Sequence, residues 1–334
     1  MSDAAQQAAS AAQALQEAAT AAGRAPSVHN TQPWRWVSVP QALELWADRS
    51  RQLHVADPDG RLLTISCGAA LQHACLALRA AGWEPAVHRL PDPAHPNLLA
   101  QVTVTGHHNP AAQERRLMQA TEQRHTDRRP SAEQAPPAQS IELIRQAAVA
   151  EGANLHPLSG DGLDDLAVAA ARANEIGLAD PDQREEMGYW IGGRRAAWTG
   201  VPDDVVPERE PHTDVPGRDF GRRGTLAVGE GHSRADVYMI LFMPGDGPKD
   251  WLRAGEALSA CWLKATDLGI AVLPLSSVVE VPATREVLHR MLAGVGQPML
   301  VLRFGMADPD QPPIAQTPRL PGERVVREGR FPKP

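Results

Sequence analysis

The residues best suited to chemistry fall in two short stretches. In RHTDRRP, 124–130, Arg124, Thr126 and Arg128 lie two apart. In an extended segment that spacing turns two guanidinium forks and a hydroxyl to the same side. Arginine makes charge-assisted, bidentate bonds to phosphate and threonine adds a neutral donor, so the stretch could hold a phosphate. A solvated basic turn at a helix end accounts for the same residues, because arginines there complement the helix dipole. In APSVHNTQPWRW, 25–36, Ser27, Asn30 and Gln32 offer donors and acceptors matched to the edge of a planar heterocycle. Trp34 and Trp36 sit on alternate positions of the strand that begins there, both on one face and ready to pack inward. A turn held by Ser and Asn side chains above core tryptophans explains that stretch equally well.

The chain around these stretches has 334 residues, 43% hydrophobic and 22% charged. That length implies two units or one large α/β unit, and the composition is that of a folded protein. A net charge of −7 with no long basic run speaks against nucleic acid or an anionic membrane as the main partner. Three cysteines, Cys67, Cys75 and Cys261, lack C-x-x-C spacing, which argues against a disulfide framework or a zinc site and fits a reducing cytoplasm. The Ala-rich start is too polar for a signal or a membrane span and reads as a helix ending at Gly23. No other apolar run looks long enough to span.

The elements that must position the two stretches repeat once. GAALQHACLALRAAG at 68–82 matches GEALSACWLKATDLG at 255–269 without a gap. Asp250 is the expected N-cap of the second copy, with Gly269 as its left-handed stop. Each copy leads to a β-rich run, LLAQVTVTG at 98–106 and PMLVLRFG at 298–305, so duplication is the better explanation. QPWRWVSV and ALELWAD predict an antiparallel pair, and RADVYMILFM another strand. Asn109-Pro110 should open one helix and Ser140 cap the next. The boundary is placed there, giving halves 1–109 and 110–334 of an α+β fold with mixed, mostly antiparallel sheets flanked by helices. Residues 185–233, rich in Gly, Pro and Arg and carrying Tyr189, Trp190, Trp198 and Phe220, are too long for an ordinary connection and form a candidate lid.

Taken together, four motifs in order resemble the FMN-dependent nitroreductase superfamily. APSVHNTQPW looks like its P-S-x-x-N-x-Q-P-W segment and RHTDRR like its Arg-rich phosphate motif. GIAVLPLSS at 269–277 and TPRLPGERVV at 317–326 resemble its later flavin and C-terminal phosphate segments. The order matches the Acg-like branch, in which a tandem duplication folds as an internal pseudo-dimer. The resemblance implies that Arg124, Thr126, Arg128 and Arg319 bind FMN phosphate, with His125 contributing backbone. It also implies that Pro26, Ser27 and Asn30 contact the flavin ring from the other half, and that Leu275 and Ser276 lie near its N5 edge. Gln32 and Arg129 are secondary candidates. The first half lacks a phosphate motif and the second lacks a P-S-x-x-N segment, so one FMN per chain is expected.

The function implied is an NAD(P)H-dependent, cytoplasmic oxidoreductase that reduces nitroaromatics, quinones or similar flat small molecules by a ping-pong cycle, as a monomer or homodimer. The alternative is a flavin-sequestering protein whose lid covers FMN. Either way the flavin carries the chemistry and no side chain needs to act as acid or base. No metal site is expected: His107, His108 and His289 lack metal-ligand spacing, and His73 is expected to be a packed or helix-surface residue.

Overall fold

The computed structural model describes residues 3–192 and 198–329. α1 (Asp3–Ala22) ends just before Gly23 and buries Leu15, Ala18, Ala19 and Ala22. β1 (Trp34–Val39) and β2 (Ala42–Ala47) form the expected antiparallel hairpin, whose turn puts Gln41 at φ 65°. α2 (Arg61–Ala80), β3 (Trp83–Arg89) and β4 (Leu98–His107) complete the first layer. Trp34 and Trp36 are fully buried beneath this sheet, as two residues on one strand face should be. α2 is long and apolar enough to cross a membrane, contrary to the expectation that no further run would be. Its most apolar window is 83% buried inside the fold, so it serves as a core helix.

The second layer begins with α3 (Ala112–Gln123) and α4 (Ala138–Ala150). β5 (Asn154–Pro157), α5 (Asp161–Ala179) and α6 (Pro181–Trp190) follow. Then come β6 (Val237–Met243), α7 (Pro248–Asp267) and β7 (Ile270–Leu275). The short α8 (Ser277–Glu280), α9 (Pro282–Met291) and β8 (Gln297–Met306) close this layer. The sheet order is β5-β6-β8-β7, all antiparallel. The chain then returns to the first layer through α10 (Gly322–Val325) and β9 (Val326–Glu328), which pairs parallel with β1.

Three helix starts differ from the sequence reading. α3 begins two residues late because the Glu114 carboxylate accepts from Ala111 N–H, making Ala111 the cap. Pro137, fixed in φ, sets the start of α4 and leaves Ser140 inside it. In α7 Asp250 lies at the third position and accepts from Gly247 N–H, so Gly247 is the cap.

The repeated helices α2 and α7 cross at Gly68 and Gly255. A Cβ on Gly68 would stand 2.0 Å from Leu252 O, and one on Gly255 would stand 1.9 Å from Ile65 O. The contacts are reciprocal, residue i meeting j while the equivalent of i meets the equivalent of j, which is the pattern of a two-fold pair. Ser259 donates to Gln72 Oε1 at 2.9 Å across 187 residues, the repeat spacing itself. Ile65 packs into the core of the second sheet and Leu252 into that of the first. Gly68→Ala and Gly255→Ala should each cost about 3 kcal/mol, because backbone carbonyls cannot rotate away from the new methyl. Gly106→Ala, whose Cβ would meet nothing within 4 Å, should stay within about 0.5 kcal/mol. Urea denaturation midpoints check this, and unchanged midpoints at the two crossing positions would contradict the packing.

Candidate functional site

A cavity opens at the junction of the two layers, with about 170 Å³ available to the centres of water-sized molecules. That is roughly ten times what one water needs. One wall is the 26–30 turn with Leu62, Ile65 and Ser66 of α2. The opposite wall is the 124–128 segment with Leu258 and Trp262 of α7, and residues 314–319 close one side.

The 124–128 segment is extended. Thr126 forms a bridge with Val272 of β7, and Asp127 N–H donates to Val272 O at 3.2 Å. Arg303 of β8 holds the same segment from behind, its Nη2 donating to Asp127 O at 2.9 Å and Arg129 O at 2.7 Å. Arg129 folds back on Asp127, with Nε to Oδ1 at 3.0 Å and Nη2 to Oδ2 at 2.9 Å, so it braces the turn outside the cavity lining. The clamp leaves Arg124, His125, Thr126 and Arg128 on the cavity wall.

Burial dominates the electrostatics. It pulls the Arg124 guanidinium down to about 9, helped by neighbouring Arg319, and pulls Arg319 down to about 10, helped by Arg24. Both remain charged at pH 7. Arg124 lies 4.5 Å over the Trp262 ring, and its Nε is a buried donor without a protein acceptor among the described residues. The same holds for Nε of Arg319. Buried charges without a carboxylate partner are costly, and an anion in the cavity would relieve them. His73, buried behind these arginines, is pushed down to about 3 by burial, then by Arg124 and Arg319, and stays neutral.

No protein-family model matches the sequence. A Mycobacterium tuberculosis H37Rv protein provisionally named NAD(P)H nitroreductase is 36% identical over 310 residues, 92% of this chain and 89% of that protein. The chain belongs to the nitroreductase family. The M. tuberculosis protein Acg, under the same provisional name, is 31% identical over 320 residues, 93% of this chain and 94% of its own. A solved nitroreductase with bound FMN from Bacteroides fragilis aligns with 60% of this chain and 93% of its own, at 13% identity and a TM-score of 0.38.

Against the nitroreductase-type expectations, the structure brings Pro26, Ser27, Asn30, Arg124, His125, Thr126, Arg128, Ser276 and Arg319 to one cavity. Leu275 and Gln32 are not among its lining residues. The Leu275 side chain packs into the second core, between Pro274 and Ser276, which line the cavity; the expected contact at this position is a backbone one. Gln32 is a strut: its Nε2 donates to Trp198 O at 2.6 Å and its Oε1 accepts from Leu320 N–H at 2.9 Å. Asn30 also lines the cavity, yet its amide is spent on protein. Nδ2 donates to Gly200 O and Pro318 O, both at 3.0 Å, and Oδ1 accepts from Arg319 Nη1 at 3.1 Å. The turn itself is unusual, with positive φ at His29, Asn30 and Gln32, and Ser27 Oγ steadies it by accepting from Gln32 N–H at 2.9 Å.

Of the candidate lid, residues 193–197 lie outside the described residues. The remainder supplies Val201, Val205, Pro207, Pro211, Arg218 and Phe220 to the cavity wall. Of its four aromatics only Phe220 is part of the lining: Trp190 is buried in a small separate cluster, and Tyr189 and Trp198 are exposed. Sequence reasoning missed Arg218 and Arg303. Arg303 had a signal, a lone arginine within the apolar strand PMLVLRFG. Its Nε lies 3.3 Å from the Asp236 carboxylate, which is fully buried. Arg303→Met should cost about 3 kcal/mol by stranding that carboxylate, and Arg303→Met with Asp236→Asn should recover part of the loss. Equal losses in thermal unfolding of the single and double variants would refute the pairing.

Proposed function

We propose that this nitroreductase-family protein is an FMN-dependent oxidoreductase with one FMN per chain, held at the junction of the two layers. The observation that carries the proposal is the pair Arg124 and Arg319. A buried guanidinium, Arg124, and a half-buried one, Arg319, each with a shielded Nε unmatched among the described residues, converge on one cavity in a protein whose net charge is −7. A phosphate supplies the anion and the acceptors that this donor set lacks, so the residues fit the group. Arg124, Thr126, Arg128 and Arg319 would hold the phosphate, with His125 presenting backbone. The 26–30 turn would meet the flavin ring from the other layer through Pro26, Ser27 and the rim of Asn30, and Ser276 would lie along its far edge. In this reading the chain is a duplicated unit divided into 1–109 and 110–334, and the second part keeps the phosphate motif while the first keeps the ring-facing turn.

Bound FMN would supply two-electron carrier chemistry between NAD(P)H and a nitroaromatic, quinone or similar flat acceptor, in a ping-pong cycle. The chain's part is to orient and enclose. Leu62, Leu258, Trp262 and Leu273 give the apolar walls that favour a planar ring, and the segment from Val201 to Phe220 limits water at the mouth. His29, buried there, is held well below its usual range by burial, then by Arg218 and Arg128, so it is neutral at pH 7.

Anaerobic mixing of the flavin-loaded protein with NADPH and then NADH tests the proposal. Bleaching of the oxidised flavin band, and its return on adding a nitroaromatic or quinone, is expected. A flavin that dithionite bleaches and neither nicotinamide does would contradict it.

A further inference from the structure

Most polar side chains around the cavity are already engaged. In the flavin reading Arg124, Arg128 and Arg319 hold the phosphate, while Arg218 and Arg303 face the buried carboxylates of Glu280 and Asp236. The wall made by the 26–30 turn and α2 is committed in the same way. Ser27 Oγ accepts from Gln32 N–H, and Ser66 Oγ accepts from Val28 N–H at 3.2 Å and donates to Leu62 O at 2.7 Å. The Asn30 amide is spent on Gly200 O, Pro318 O and Arg319. His29 is different. It lines the same wall, and neither of its ring nitrogens has a hydrogen-bond partner among the described residues.

The histidine is held there against local preference. Its φ of 45° and ψ of 26° are left-handed, a conformation that glycine takes freely and that strains a residue with a side chain. Both neighbours are fixed, Val28 by Ser66 of α2 and Asn30 by the three partners just named, so the backbone cannot relax around it. Phe220 meets the imidazole edge-on with ring centroids 6.5 Å apart, which orients the ring. Burial, then Arg218 and Arg128, keeps it neutral. A neutral imidazole carries one N–H and one lone pair. It can donate to an oxygen without giving up its proton or adding to the positive charge of the cavity.

We propose that His29 is a catalytic residue, whose ring N–H donates to a carbonyl oxygen of a quinone acceptor as that oxygen becomes anionic. The proposal rests on the flavin reading above, which supplies the hydride. Moving a hydride from the reduced cofactor to the quinone oxidises the one and reduces the other by two electrons. One quinone oxygen gains the hydrogen and the other is left anionic. The His29 N–H stabilises that anion, and a proton from solvent water then completes the hydroquinone. A donor already fixed where charge develops needs no reorganisation at the moment of reaction.

The anion of 3-fluoro-4-nitrophenol presents the same phenolate oxygen as a singly protonated hydroquinone, and its fluorine NMR shift reports the fraction ionised when bound. Bound to the purified full chain and titrated with pH, this phenol should ionise about one pH unit higher in H29G than in the parent, about a tenfold loss of preference for the anion. Glycine suits the left-handed turn, so H29G removes the ring without straining the backbone. H29Q, whose side-chain amide restores an N–H donor, should recover most of the shift. Equal ionisation in the parent and H29G, or an H29Q protein no different from H29G, would overturn the role of His29. Visible absorbance of the same preparations reports flavin content separately. A flavin-free parent contradicts the cofactor reading while the phenol titration still decides for or against the donor. A flavin-loaded H29G that ionises the phenol as the parent does removes the donor alone.

Discussion

Backbone-to-backbone contact between α2 and α7 is the constraint on which the rest of the structure depends. Gly68 and Gly255 let each helix place a carbonyl where any other residue would place its Cβ. The helices can therefore exchange side chains, Ile65 into the second core and Leu252 into the first, so the two sheets share one interior. The cavity lies along the same crossing, because α2 contributes Leu62, Ile65 and Ser66 to it while α7 contributes Leu258 and Trp262. Separating the helices by the width of a methyl group would move the two walls apart together.

The second organising feature is how buried charge is handled. Arg303 is matched by Asp236 and by backbone carbonyls, and Arg129 by Asp127, so these arginines shape the 124–129 segment without facing an unmet electrostatic demand. Arg124 and Arg319 have no carboxylate partner among the described residues, although Arg124 is buried and the Nε of the half-buried Arg319 is shielded from solvent. Arg303 and Arg218, paired with Asp236 and Glu280, reach the cavity wall too, so Arg124 and Arg319 differ from them in the missing partner and not in position. The tail that carries Arg319 is secured by Asn30 and Gln32, and β9 beyond it extends the first sheet. The C-terminal part of the chain thus locks over the layer built by its start.

Much of this was legible in the sequence where a single local rule decides. Alternation announced Trp34 and Trp36 as buried, the repeat announced the paired helices, and the two-residue spacing of Arg124, Thr126 and Arg128 announced an extended, one-sided segment. Other parts depend on partners far along the chain. Asn30 and Gln32 reach carbonyls and amides at 198–200 and 318–320, and nothing local distinguishes a strut from a ligand contact. The side chain of Leu275 belongs to the second core while its neighbours Pro274 and Ser276 line the cavity, a division that the sequence of this short stretch does not announce. Arg218 lies in a segment without periodicity, so only the fold reveals that it reaches Ser276. Helix starts shifted where a glutamate or a proline competed with the expected cap.

The central claim is that two unequal layers joined by this crossing make a single cofactor site per chain. Titration of flavin-stripped protein with FMN, followed by quenching of flavin fluorescence to a sharp equivalence point, tests it most directly. One FMN per chain is the predicted result. An equivalence point near two, or no quenching at micromolar protein, would contradict it.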